Sequence, residues 1–268
     1  MNTNINKGTA LVTGASSGIG AVYADRLARR GYDLILVARD LKRLDVLAAE
    51  LTTKTGRKVT TISADLSVTA DLRRIEEQLT NDSSITMLIN NAGMGATKSL
   101  IDSEPLDLDL MITLNVLALT RLTRAVAPGF AERGEGTIVN ISSIVALTPE
   151  LLNGTYGGTK AYVLALTRSL HHELAAKGVQ IQAVLPGAIS TPFWDRAGLA
   201  ISNLPSEIVM TAEDLVDAAL AGLDLGELVT IPSLPDIADW NQYEADRLAL
   251  SPNLSRNTPA LRYENVTR

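Results

Sequence analysis

The chain has 268 residues, 46% of them apolar, and a mean hydropathy of +0.14, enough for one large core. A formal net charge of −6 and a pI of about 5.0 argue against nucleic acid or an anionic membrane as partner, since both require a basic surface. There is no cysteine, which excludes disulfides, thiolate catalysis and cysteine-based metal sites. Residues 1–8 are polar and lack the apolar centre of a signal peptide. No uninterrupted apolar run approaches the ~18 residues of a membrane span. A cytoplasmic protein is the expectation.

In chain order, an apolar run at 9–12 leads into Gly14, Gly18 and Gly20, and an amphipathic stretch follows at 21–30. Strand, glycine turn and helix leave backbone N–H groups free to receive a phosphate. In such a turn one glycine makes the bend, one clears space for a pyrophosphate and one lets helix and strand approach. Residues 33–38 read as a buried strand, and 41–54 as a helix with apolar residues at 41, 44, 47, 48 and 51. Then come a strand at 58–63, a helix at 69–79, and a strand at 86–89 ending in Asn90-Asn91-Ala92-Gly93. Pro105 opens a helical region that Pro128 is expected to end near Phe130. A strand at 137–141, a helix at 155–177, a strand at 179–185, a helix at 212–223 and a short strand at 228–231 complete the alternation. Apolar strands between helices predict one α/β domain: a doubly wound parallel sheet of about seven strands, helices on both faces, binding ligands at the carboxyl ends of the strands.

Two stretches depart from this pattern. Residues 191–211 carry Pro192, Phe193, Trp194, Gly198 and Pro205 between a strand and a helix, the composition and length of a substrate lid. Residues 232–268 form a C-terminal extension with a helical pattern at 237–248, placed either on the protein's own surface or against a neighbouring subunit.

The second strand ends Ala38-Arg39-Asp40. An NAD site places a carboxylate here for the ribose hydroxyls, whereas a guanidinium pairs with a 2′-phosphate. Arg39, with Lys42 and Arg43 nearby, favours NADP(H) over NAD, and Asp40 is placed to cap the next helix. Further on, Tyr156 and Lys160 lie four apart near the start of a helix, on one face, after Ser142-Ser143 at a strand end. An ammonium beside a phenol, and the positive nicotinamide ring of an oxidised cofactor, both favour the phenolate. Such a phenol can give a proton to an alkoxide or take one from an alcohol. A serine hydroxyl can bind the same oxygen. His171 and His172 are adjacent on a helix, face different directions and make a poor ligand pair, and no metal is called for.

Together these motifs resemble the short-chain dehydrogenase/reductase family over residues 8–231, and the resemblance implies its Rossmann-type fold. It also implies a homodimer or homotetramer built on the 155–177 helix and the helix after Thr211. It implies that Gly14, Ser16, Ser17, Gly18, Ile19 and Gly20 form the cofactor turn, and that Asp65 and Leu66 contact adenine. Asn91, Ala92 and Gly93 then stabilise the sheet and line the ribose, while Pro186, Gly187, Ile189 and Thr191 grip the carboxamide. Ser143, thirteen residues before Tyr156, is chosen over Ser142 to orient the substrate oxygen. Tyr156 handles the proton, Lys160 binds the nicotinamide ribose, and Asn115 holds a water that connects Lys160 to solvent. Some NADP-preferring members carry a basic residue where Ser17 stands here.

The implied activity is hydride transfer between NADP(H) and a ketone, aldehyde or secondary alcohol. Ile144, Leu147, Leu151 and Leu152 would make the substrate pocket apolar. Phe193 and Trp194 are weighed equally as a pocket wall or as packing for the base of the lid. An epimerase or dehydratase that retains its cofactor is the alternative on the same fold, and a non-catalytic dinucleotide sensor the alternative outside enzymes.

Overall fold

In the computed structural model, which describes residues 7–263, the glycine turn joins β1 (Thr9–Thr13) to α1 (Gly18–Arg29). Residues 1–6, most of the polar N-terminal stretch, and 264–268, the end of the extension, lie outside the described residues. β2 (Asp33–Ala38), α2 (Leu41–Thr55), β3 (Val59–Ser63), α3 (Thr69–Asn81) and β4 (Ile85–Asn90) follow in alternation. A long helical run then passes from α4 (Pro105–Ile112) through a π-helical turn (Thr113–Ala118) into α5 (Leu119–Arg133). β5 (Gly136–Ile141), α6 (Gly154–Leu174) and β6 (Val179–Val184) complete the central layer. Beyond them lie β7 (Ala188–Ile189), α7 (Phe193–Ala197), β8 (Val209–Met210), α8 (Ala212–Asp224) and β9 (Val229–Thr230).

Seven strands pair in the order β3-β2-β1-β4-β5-β6-β9, every pair parallel. This is the doubly wound sheet the alternation predicts. Side chains alternate across it: Ala10 and Val12 of β1 face one core with α1 and α8, while Leu11 faces the other with α3, α5 and α6. The first core holds Tyr23, Leu27, Leu215 and Leu220; the second holds Ile75, Leu122, Val126 and Phe130. Chain order reverses direction between β1 and β4, which opens a crevice at their carboxyl ends.

The long helix differs from expectation at Pro128, which sits inside α5 instead of ending it. Pro128 is on the exposed side, so the carbonyl it cannot bond faces water, while Val126 and Phe130 hold the turn to the core. The run Pro105–Arg133 is also long and apolar enough to cross a membrane by length and composition. Asp107, Asp109, Arg121 and Arg124 interrupt it, so counting unbroken apolar residues passes over it. In this fold its Ala118, Leu122, Val126 and Phe130 pack into the second core, and Met111 packs beside Val145 and Tyr156.

The segment 191–211 is framed by a small parallel pair, with Ala188 opposite Val209 and Ile189 opposite Met210, and Ser190 N–H donates to Met210 O at 2.9 Å. The expected lid thus contains a short helix and two 3₁₀ turns between anchored ends. Two-residue strands carry too few positions to show a period. By contacts the chain divides at Pro232/Ser233. The second unit holds α9 (Ile237–Ala249), capped by Asp236, whose carboxylate accepts from Ala238 N–H at 2.8 Å; the rings of Trp240 and Tyr243 lie 5.2 Å apart.

Candidate active site

The crevice beside β1 and β4 is a cleft of about 950 Å³, lined from the glycine turn at one end to the 191–211 segment at the other. Gly14 and Gly18 adopt φ of +66° and +56°, which L side chains rarely take. A Cβ on Gly14 would come within 2.8 Å of the Asn91 amide, and one on Gly18 within 3.0 Å of Thr191. Ser17 precedes the first turn of α1, yet its hydroxyl does not cap that helix, so the first N–H groups remain open to the cleft. Thr13 locks the turn to β4: its hydroxyl accepts from Asn91 and Ala92 N–H, both at 3.0 Å, and donates to Ile89 O at 3.1 Å. The Asn91 amide donates to Thr13 O at 2.9 Å. These features fit a dinucleotide: a glycine bend, open helix amides and a wall fixed by polar side chains.

Arg39 lines the same cleft with its side chain exposed, its guanidinium 4.0 Å from the Asp65 carboxylate. Asp40 caps α2 by accepting from Arg43 N–H at 3.1 Å, as its position predicts.

At the far end, Asn153 starts α6. Its side-chain oxygen accepts from Thr155 and Tyr156 N–H at 2.9 and 3.2 Å, and its amide donates to Lys98 O at 2.7 Å. Tyr156 therefore occupies a clamped first turn. Its phenol is buried, which pushes its pKa up to about 12, and the Ser143 hydroxyl offsets this in part. Lys160, one turn on, is also buried. Its Nζ lies 5.7 Å from the Tyr156 ring centre and donates to Ile141 O at 2.9 Å, and burial lowers its pKa to about 8.

This corrects the expectation of a phenol acidified by its lysine. Here the ammonium's hydrogen bond goes to a strand-end carbonyl, and desolvation is the larger effect on the tyrosine. The Ser143 hydroxyl lies 3.3 Å from both Pro186 O and Val145 N, while that of Ser142 donates to Lys160 O at 2.8 Å and fixes the helix to the strand.

Of the residues singled out in the sequence, Gly14, Ser16, Ser17, Gly18, Ile19, Arg39, Asp65, Leu66, Asn91, Ala92 and Gly93 line this one cleft, as do Ser143, Tyr156, Lys160, Pro186, Gly187, Ile189 and Thr191. Gly20 and Asn115 do not. Gly20 lies beneath the turn, where a Cβ would run into Gly14 O. Asn115 sits in the π-helical turn behind the wall. Its amide donates to Met94 O at 2.8 Å and Thr159 Oγ1 at 3.1 Å, and its oxygen accepts from Met94 N–H at 2.9 Å.

Ile144, Leu151 and Leu152 line the cleft, but Leu147 does not, because the 3₁₀ turn after Ser143 carries Val145 there instead. Phe193 and Trp194 both line the cleft. Phe193 lies 6.0 Å from the Tyr156 ring, centre to centre; Trp194 is buried, with Nε1–H donating to Ile189 O at 2.9 Å. His171 and His172 are both exposed.

Sequence reasoning missed Met94, Gly95, Leu110, Leu114, Leu204, Ile208 and Arg196, all of which line the cleft. Arg196, Leu204 and Ile208 fall within the 191–211 segment read as a lid, which was the signal available for three of them.

A glycine turn at the switch point of a doubly wound sheet, with a buried serine, tyrosine and lysine in the same cleft, defines an oxidoreductase of the nucleotide-binding α/β class. Residues 8–200 match the short chain dehydrogenase family, and the chain belongs to it. A short-chain dehydrogenase from Sphingobium yanoikuyae in complex with NADPH is 48% identical, with a TM-score of 0.93 over 96% of this chain and 99% of that one. The bulky-bulky ketone specific alcohol dehydrogenase from Comamonas testosteroni is 46% identical, with a TM-score of 0.89 over 97% of this chain and 100% of that one. A very-long-chain 3-oxoacyl-CoA reductase of Anas platyrhynchos is 36% identical over 221 residues, 81% of this chain and 69% of that protein.

Proposed function

We propose that the protein moves hydride between NADP(H) and a bulky apolar ketone, aldehyde or secondary alcohol, with Tyr156 giving or taking the proton. The observation that carries this is the placement of the Tyr156–Ser143 pair in the cleft that also holds the glycine turn and Arg39. When bound, NADPH supplies a hydride from its nicotinamide. Ser143 holds the substrate oxygen by a hydrogen bond, and Tyr156, protonated throughout the neutral range, donates to that oxygen as charge develops on it. Lys160 is mostly protonated at pH 7 and binds the ribose hydroxyls next to the tyrosine. Asn115 fixes the Met94 backbone and holds the water that links Lys160 to solvent. The open amides of α1 receive the diphosphate, and Arg39 reads the 2′-phosphate. Met94, Leu114, Val145, Leu152 and Phe193 give the substrate an apolar wall and exclude water.

The enzyme we envisage is cytoplasmic and dimeric or tetrameric. A screen of NADPH oxidation across bulky ketones, aldehydes and hydroxysteroid-type carbonyl compounds, run beside NADH, tests the reading. Net NADPH consumption with at least one bulky ketone is the expected result. Product formation without net consumption would instead indicate a cofactor-retaining epimerase or dehydratase.

A further inference from the structure

The glycine turn has a partner that comes from the far side of the cleft. Arg196, on α7, donates from Nη2 to Ser17 Oγ at 3.4 Å and from Nε to Pro192 O at 3.1 Å. Thr191, at the start of the same segment, abuts Gly18. Several arginines elsewhere on the protein have carboxylate partners: Arg26 pairs with Asp217, Arg30 with Asp224 and Arg121 with Glu76. Among the described residues Arg196 has no such ion pair; its side chain is exposed and directed at a serine hydroxyl that leaves its own helix uncapped. A guanidinium held over open helix amides is matched to an oxyanion, and a neutral hydroxyl uses little of its charge.

We infer that Arg196 is a ligand for a cofactor phosphate at Ser17, and that its engagement seats the pocket wall. The inference rests on the dinucleotide reading above. Arg196 and Phe193 share one short helix. Trp194 pins that helix to Ile189 O, and Thr97 pins it at Ala197 O through its backbone N–H and its hydroxyl, at 3.2 and 2.8 Å. A phosphate gripping Arg196 therefore fixes the turn that presents Phe193 to Tyr156. Cofactor binding thereby adds a further anchor to a pocket wall that Trp194 and Thr97 already hold.

The test compares full-length wild type, Arg196→Gln and Arg196→Lys by fluorescence titration with NADPH and NADH, together with the KM for a bulky ketone. Arg196→Gln is expected to raise the NADPH Kd about tenfold and to raise the ketone KM more than it lowers kcat. Arg196→Lys should recover part of the affinity, and both variants should melt like wild type. Weakened NADPH with unchanged NADH assigns the 2′-phosphate; equal weakening assigns the diphosphate. A folded Arg196→Gln variant that binds both dinucleotides like wild type overturns the role of Arg196 alone. Wild type that binds neither dinucleotide overturns the dinucleotide reading, and the inference with it.

Discussion

Burial acts on Tyr156 and Lys160 in opposite directions, raising the phenol to about 12 and lowering the ammonium to about 8, so that both carry their protons at pH 7. For Lys160 the folded pKa lies below the unfolded value of about 10.4. Its contribution to stability is therefore complete above that value and is lost as pH falls through 8. Replacing it removes a buried cation that is unfavourable at neutral pH but also takes the donor from Ile141 O, so the pH dependence is the readout: relative to wild type, Lys160→Met should lose about 3 kcal/mol of stability as pH rises from about 8 to about 10.5. Urea melts at several pH values check this, and a gap independent of pH would contradict it. Arg39→Asp should weaken NADPH roughly tenfold and NADH far less, since only NADPH has the 2′-phosphate that the carboxylate would repel. Equal weakening in parallel titrations would remove Arg39 from that role.

Residues close in sequence were readable because one element sets their geometry: Tyr156 and Lys160 share a helix face, and Asp40 stands before its helix. Arg196 and Ser17 were not readable, being 179 positions apart and brought together only by the folded segment. The direction of the tyrosine's pKa was also out of reach, because it depends on burial and on where the Lys160 proton points.

At the scale of elements, alternation of buried strands and amphipathic helices predicted the parallel sheet, and the structure has it. Three local features escaped. The π-helical turn bears no sequence period of its own, Pro128 is tolerated through a solvent-facing side, and β7 and β8 are too short to show alternation. The loop after β4 and the 191–211 segment meet at Gly95, where a Cβ would overlap the Phe193 ring. Gly95→Val should displace Phe193 from Tyr156, raising the KM for a bulky ketone several-fold while leaving NADPH affinity near wild type. Steady-state kinetics with a cofactor titration measures both, and an unchanged KM would show that Phe193 is not a pocket wall.

Taken as a whole, the molecule carries net negative charge, and its cleft sets Arg39, Arg43, Lys160 and Arg196 beside Asp40, Asp65 and Asp195, so cations are available to an anionic cofactor at chosen points of a mixed-charge lining. Every residue lining that cleft precedes Pro232. The C-terminal unit exposes Leu250, Leu254, Leu261 and Tyr263, large apolar side chains suited to a neighbouring subunit. If the tail bridges subunits of the proposed oligomer, deleting residues 250–268 should lower the mass in solution from a multiple of 28.5 kDa or raise the substrate KM, with NADPH binding retained. Light scattering with unchanged mass, joined to unchanged kinetics, would leave the tail without either role.

One hydroxyl, that of Tyr156, carries the proposed chemistry. Tyr156→Phe keeps the ring beside Phe193 and removes the proton donor, so single-turnover oxidation of bound NADPH by a bulky ketone measures its role directly. The expected result is a rate lowered by about 10²- to 10⁴-fold with the NADPH Kd unchanged. A rate near that of wild type would contradict the assignment.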